Sequence, residues 1–147
     1  MKIERPTWDK YFSTIATAVA ARATCPRAAV GVVIARDNRI LTTGYNGSPT
    51  GVRHCVDAGC LMIEGHCGRA THAEANAIVQ GALHGVSLRG ATAYVTMEPC
   101  LGCTKLLISA GIARIVSAKA YANDNNVTEM LAEAGIPMEI TSNNVSR

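Results

Sequence analysis

His72-Ala73-Glu74 and, further along, Pro99-Cys100-Leu101-Gly102-Cys103 confine this chain more than any other part of it. One imidazole and two thiolates make three zinc ligands, and they act together only if the fold carries both stretches to one point. Three protein ligands leave a fourth position for water, as a catalytic site requires. Cys100 and Cys103 sit three residues apart at a helix start, so both sulfurs can face one point. The positive end of that helix favours their thiolate forms. Glu74, two residues beyond the histidine, is placed beside that water rather than on the metal. All four histidines, and every cysteine except Cys25, lie between His54 and Cys103. Such clustering favours metal sites over scattered thiols.

The 147 residues suit one domain spanning 1–147, and an apolar fraction of 48% can fill its core. Trp8, Tyr11, Phe12, Ile15 and Val19 have helical spacing behind Thr7, a plausible N-cap. Ala29 to Ala35 reads as a buried strand, Asp37-Asn38 as a turn and Arg39 to Tyr45 as the hairpin partner. Asn46 to Ala70 holds Gly, Pro, His and Cys without a sustained period, so function or a metal must order it. Thr71 precedes a helix over Ala73 to Leu83 that ends near Gly85. Ala91 to Thr96 is a predicted strand, and Pro99 takes the first helical position of a helix that stops at Gly111. Arg114 to Ser117 is a strand, Val127 to Ala134 a helix and Met138 to Thr141 a last strand. This alternation predicts an α/β fold, with a mixed sheet covered on both faces.

Composition removes some function classes. Aromatics are only 4% of the chain, thin for a stacking groove, so no nucleic-acid partner is expected. The formal charge of +3 neither demands nor excludes an anionic ligand. No apolar run approaches a membrane span, and Met1 to Lys10 lacks a signal-peptide core. A cytoplasmic protein, from a bacterium or a phage in its host, is the expectation.

His72 to Ile78 (HAEANAI) and Thr96 to Cys103 (TMEPCLGC) resemble the cytidine deaminase superfamily. The resemblance implies a three-layer α-β-α sandwich around a five-stranded mixed sheet. It also implies a catalytic zinc on His72, Cys100 and Cys103, with Glu74 shuttling protons from water to the base and to its departing amino group. Gly44-Tyr45-Asn46-Gly47-Ser48-Pro49 is similar to the substrate loop of the deoxycytidylate deaminase family, although Asn-Gly alone is also a turn signal. The similarity continues through Thr24-Cys25-Pro26-Arg27, His54-Cys55, Gly59-Cys60, His66-Cys67 and Tyr121. It implies that Asn46 meets the deoxyribose, that Arg27 and Ser48 lie near the phosphate, that Tyr121 borders the pocket and that the backbone near Ala73 holds the ring.

The same resemblance implies a second, structural zinc on four of Cys25, Cys55, Cys60, His66 and Cys67. It further implies a homo-oligomer, a hexamer, activated by dCTP and inhibited by dTTP. The effector site is expected beside Gly44, Tyr45, Gly47 and Gly51, with magnesium on the triphosphate. The implied reaction is hydrolysis of dCMP to dUMP and ammonia, feeding thymidylate synthesis. Alternatives on the same scaffold are a dCTP, nucleoside or free-base deaminase, a tRNA adenosine deaminase and a non-catalytic zinc-binding module.

Overall fold

The computed structural model describes residues 3–121 and 124–141; the two ends of the expected 1–147 domain, and residues 122–123, lie outside the described residues. Helix α1 (Trp8–Ala20) starts at Thr7, whose hydroxyl accepts the Lys10 N–H at 3.2 Å. Strands β1 (Gly31–Arg36) and β2 (Arg39–Tyr45) form an antiparallel hairpin. Its two turn residues, Asp37 and Asn38, have φ of 53° and 58°, the left-handed pair that a two-residue hairpin turn needs. Then follow α2 (Cys55–Ala58), β3 (Met62–Ile63), β4 (His66–Cys67), α3 (Ala73–His84), β5 (Thr92–Val95) and α4 (Leu101–Ser109). Strand β6 (Arg114–Ser117), α5 (Asn125–Ala134) and β7 (Met138–Ile140) complete the described chain.

The main sheet has five strands in the order β2-β1-β5-β6-β7. Strand β1 runs antiparallel to both neighbours, whereas β5, β6 and β7 run parallel, joined through α4 and α5. The alternation of side chains along β1 splits the core in two. Val33 and Ala35 join Phe12 and Ala16 of α1, with Tyr94 and Val116, on one face. Val32 and Ile34 face the other side, where Ala73 and Ala77 of α3, Leu107 of α4 and Leu131 of α5 pack. The result is the three-layer α-β-α sandwich around a five-stranded mixed sheet that the sequence resemblance implied.

Three sequence expectations shift. The stretch from Asn46 to Ala70 is not shapeless: it contains α2 and the small β3–β4 hairpin. Trp8 and Tyr11 stay 47% and 45% exposed, because α1 seats on the sheet through Phe12, Ala16 and Ala20 instead. Ala16 and Ala20 lie so close to Gly31 that a Cβ there would overlap the helix backbone. Pro99 is not the first residue of α4; it precedes the cap, which is Cys100 in an extended conformation (φ −68°, ψ 168°). No helix of the described residues is long and apolar enough to cross a membrane.

Candidate active site

The site lies at the carboxyl end of β5, where ligand crevices open in parallel α/β sheets. Two of its side chains occupy helix N-caps. His72 caps α3 (φ −66°, ψ 152°) without bonding its own helix's amides, and Cys100 caps α4, where the Cys103 N–H helps to favour its thiolate. N-cap positions normally go to Ser, Thr, Asp or Asn, whose side chains fold back onto those amides. The imidazole and the thiol in their place meet each other, 3.6 Å apart. Cys103 joins them from the first turn of α4.

His72 Nδ1 stands 3.6 Å from Cys100 Sγ and 3.5 Å from Cys103 Sγ. Zinc bonds of about 2.0 Å to nitrogen and 2.3 Å to sulfur, at a tetrahedral angle, separate the ligand atoms by about 3.6 Å. The triad therefore fits a zinc ion at the spacing it already has. Its electrostatics agree. The Cys103 thiol and the His72 ring hold the Cys100 thiol down to about 3, against burial. The neighbouring Cys100 sulfur, together with burial, pushes Cys103 up. The Cys100 hydrogen bond raises His72. One thiolate is thus already favoured before a metal adds its charge.

Glu74 lies in the first turn of α3 and is 4% exposed. Burial pushes its carboxyl pKa up, opposed by hydrogen bonding to its own backbone and to Cys103. A carboxyl that holds a proton more readily is suited to relay one. Gly44 of β2 fixes this turn in space. A Cβ there would overlap the Ala73 carbonyl and lie 2.5 Å from the Ala77 nitrogen, so α3 rests directly on the strand.

A cavity of about 420 Å³ opens over the triad and Glu74. Arg27, Asn46, Ala73 and Tyr121, all expected at the site, line it. Asn46 is largely committed: its amide donates to the Ala28 carbonyl and its oxygen accepts from the Val30 N–H, both at 2.8 Å. It thereby shapes the cavity wall as well as facing it. Ser48 is not brought to this cavity. Its hydroxyl donates to the Arg53 carbonyl at 2.9 Å, and it lines a second cavity of about 530 Å³. Gly44, Tyr45, Gly47 and Gly51 line that second cavity too. The two hollows share one segment: Asn46 lines the first, and the residues on either side of it, Gly44, Tyr45, Gly47 and Ser48, line the second. Gly47 also exchanges backbone hydrogen bonds with Thr71, the residue before His72.

The other cysteines divide. Cys55, Cys60 and Cys67 bring their sulfurs within 4.8 Å of one another. Cys55 and Cys67 are 3.6 Å apart. Backbone N–H groups of Ala70 and Arg69 hold the Cys67 thiol down to about 6, and burial pushes Cys55 up to about 11. Cys25 stands outside this trio but acts electrostatically on Cys60. His66 is not one of the cluster; it lines the catalytic cavity, as does Cys67. All six cysteines are unpaired. Glu98 and Met97 also line the cavity and went unread in the sequence, although Glu98 stands directly before Pro99 in the TMEPC stretch.

Residues 6–119 match the family described as the cytidine and deoxycytidylate deaminase zinc-binding region. ComE operon protein 2 of Bacillus subtilis is 45% identical over 137 residues, covering 93% of this chain and 72% of that protein. The deoxycytidylate deaminase of Mycobacterium phage D29 is 41% identical, across 80% of this chain and 98% of its own. The yeast (Saccharomyces cerevisiae) deoxycytidylate deaminase is 36% identical, but the chain spans only 44% of its length. Among solved structures, the dCMP deaminase of cyanophage S-TIM5 in complex with dCMP and dUMP superposes with a TM-score of 0.81 at 26% identity, over 94% of this chain and 99% of that one. The spacing of the triad, the buried glutamate beside it and these likenesses converge: the chain belongs to the deoxycytidylate deaminase family, as a zinc-dependent deaminase.

Proposed function

We propose that this protein hydrolyses dCMP to dUMP and ammonia, the product feeding thymidylate synthesis. One observation carries the reading: a single cavity has Glu74 and two of the triad, His72 and Cys100, in its lining and also Arg27. A guanidinium suits a phosphate through its fork of donors. The names of the phage and yeast relatives, and the dCMP and dUMP in the cyanophage structure, support the same substrate.

A zinc ion on His72, Cys100 and Cys103 would supply the Lewis acidity that makes water nucleophilic near neutral pH. Glu74 takes the proton that water loses. It returns that proton to the ring nitrogen beside the reacting carbon and carries another to the amino group, which leaves as ammonia. Ala73 offers its backbone at the cavity wall to orient the base, Asn46 meets the deoxyribose, Arg27 holds the phosphate, and Tyr121 borders the pocket. The atoms balance as one water consumed, one amino group released and one carbonyl formed. Ultraviolet assays of dCMP, dCTP, CMP, deoxycytidine and cytosine, side by side, test the substrate. Arg27→Ala should lower kcat/KM on dCMP at least tenfold while changing deoxycytidine little, since one charge-assisted phosphate contact is worth about 1.5–3 kcal/mol. Equal losses on both would remove the nucleotide assignment.

Three further parts of the reading have their own support. A second, structural zinc belongs on Cys55, Cys60 and Cys67, with Cys25, felt electrostatically at Cys60, as the fourth thiolate. Control by dCTP and dTTP, with magnesium on the triphosphate, suits the second cavity. Its wall includes Asn76 of α3, whose amide donates to the Tyr45 carbonyl at 2.7 Å, so a ligand there touches both the shared segment and the catalytic helix. Assembly into a hexamer is supported by exposed apolar side chains on the outer faces of α3 and α4: Val79, Leu83 and Leu106. Six unpaired cysteines suit the reducing cytoplasm. Rate curves in dCMP that ignore both triphosphates, or a monomer in light scattering, would remove the corresponding part.

A further inference from the structure

Beyond the ends of β5 and β6, the two chains continue to pair. Ala118 donates to the Val95 carbonyl and Glu98 to the Lys119 carbonyl, each at 2.9 Å. The Ser117 hydroxyl also donates to the Lys119 carbonyl, at 2.8 Å. The next rung needs an acceptor for the Tyr121 N–H, but at Pro99 the chain turns away towards Cys100. The acceptor is supplied by a side chain instead: the Tyr121 N–H donates to Glu98 Oε2 at 2.9 Å.

Glu98 is 7% exposed, and it lines the cavity together with Tyr121. A buried carboxylate is costly unless it is hydrogen-bonded, and the Tyr121 N–H supplies such a bond. The mechanism uses Glu74 and leaves Glu98 without a role. Tyr121, for its part, is half-exposed and sits at the end of a stretch with no regular structure.

We infer that Glu98 is a positioning residue for substrate binding: its carboxylate takes the place of a missing strand and holds Tyr121 as a wall of the catalytic cavity. Because Glu98 is two residues from Cys100, the metal-binding turn and the cavity wall are built as one piece. Glu98 acts through Tyr121, so its loss weakens substrate binding and leaves the chemical step alone.

The inference rests on dCMP being the substrate for its kinetic test, and a second readout is independent of that. Glu98→Ala should raise the KM for dCMP by about tenfold, the effect of one hydrogen bond to a charged acceptor, with kcat within about threefold and the zinc content intact. Glu98→Gln keeps an oxygen acceptor and should restore the KM. In a Tyr121→Ala background, Glu98→Ala should add nothing further. Glu98→Asp, one methylene too short to reach, should behave like Glu98→Ala and serves if the alanine variant does not fold. Separately, amide exchange at Tyr121, read by NMR, should quicken in Glu98→Ala and Glu98→Asp but not in Glu98→Gln. An unchanged KM, a glutamine variant as impaired as alanine, additive losses in the double variant or loss of the catalytic zinc would each overturn the assignment. If the wild type did not act on dCMP, the substrate reading would fall while the exchange measurement still decided the role of Glu98.

Discussion

Glu74 and Cys100 touch the same centre and answer to different chemistry. Glu74 is a buried carboxyl in the first turn of α3, and no metal ligand is lost with it. Glu74→Ala should keep the catalytic zinc and lose about 10² to 10⁴ in kcat, the usual contribution of a general acid–base group. Cys100→Ala removes one of three ligands and should lose the metal itself, seen by elemental analysis. A metal-free Glu74 variant would contradict this division. These residues were legible in the sequence because ligand chemistry restricts residue type and spacing together. Ser48 was not, because family likeness conveys that a loop matters and not which way each residue in it points. In the structure its hydroxyl serves the Arg53 carbonyl instead.

Among the elements, α3 and α1 meet the sheet in different ways. Helix α3 rests on Gly44 with no room for a methyl group. Gly44→Ala should cost about 1–3 kcal/mol of stability, the usual penalty of overpacking, and lower kcat as well, since Ala73 and Glu74 must shift with the helix. Thermal melts and steady-state rates check this. Helix α1 is tied by charge: Asp9 accepts from Arg114 of β6 at 2.9 and 2.7 Å and from the Tyr94 hydroxyl at 2.9 Å. Arg114 also reaches Glu139 of β7 at 3.0 Å. The Arg114 hydrogen bond holds the Asp9 carboxyl below its usual value. A depressed carboxylate contributes stability that is complete above its unfolded value, about 3.9, and is lost as pH falls through the lower folded value. Melting temperatures of wild type and Asp9→Asn should therefore differ near neutrality and converge in acid below about pH 4. The pair is partly exposed, so added salt should narrow the neutral difference. A difference that persists in acid would mean the pair is not its source. Strand and helix order was readable from periodicity and glycine punctuation. The seat of α1 was not, because two alanines opposite a glycine determine it, and small residues carry little hydrophobic signal. The β3–β4 hairpin was hidden for a related reason: strands of two residues have no period to detect.

For the whole molecule, the proposed second zinc would link metal to fold. The Cys55, Cys60 and Cys67 cluster draws together three points of the connection between β2 and α3, and His66 and Cys67 from that connection line the catalytic cavity. Elemental analysis should find two zinc ions per chain. Strong chelation should lower the melting temperature, because a structural metal contributes its binding energy to folding. Cys55→Ala should cost stability more than it costs kcat, and a ratio of one zinc would return these cysteines to ordinary thiols.

The segment from Gly44 to Ser48 carries a consequence for how such a chain can change over generations. Asn46 lines one hollow, while Gly44, Tyr45, Gly47 and Ser48 line the other. Swapping one side chain there edits one hollow at a time. Adding or deleting a residue does something else: it pulls Asn46 from Ala28 and Val30 and Gly47 from Thr71 together, disturbing both hollows at once. Descendants are freer to vary the letters of this segment than its count, and a library that randomises its length should return far fewer working members than one that randomises Tyr45 or Ser48 at fixed length.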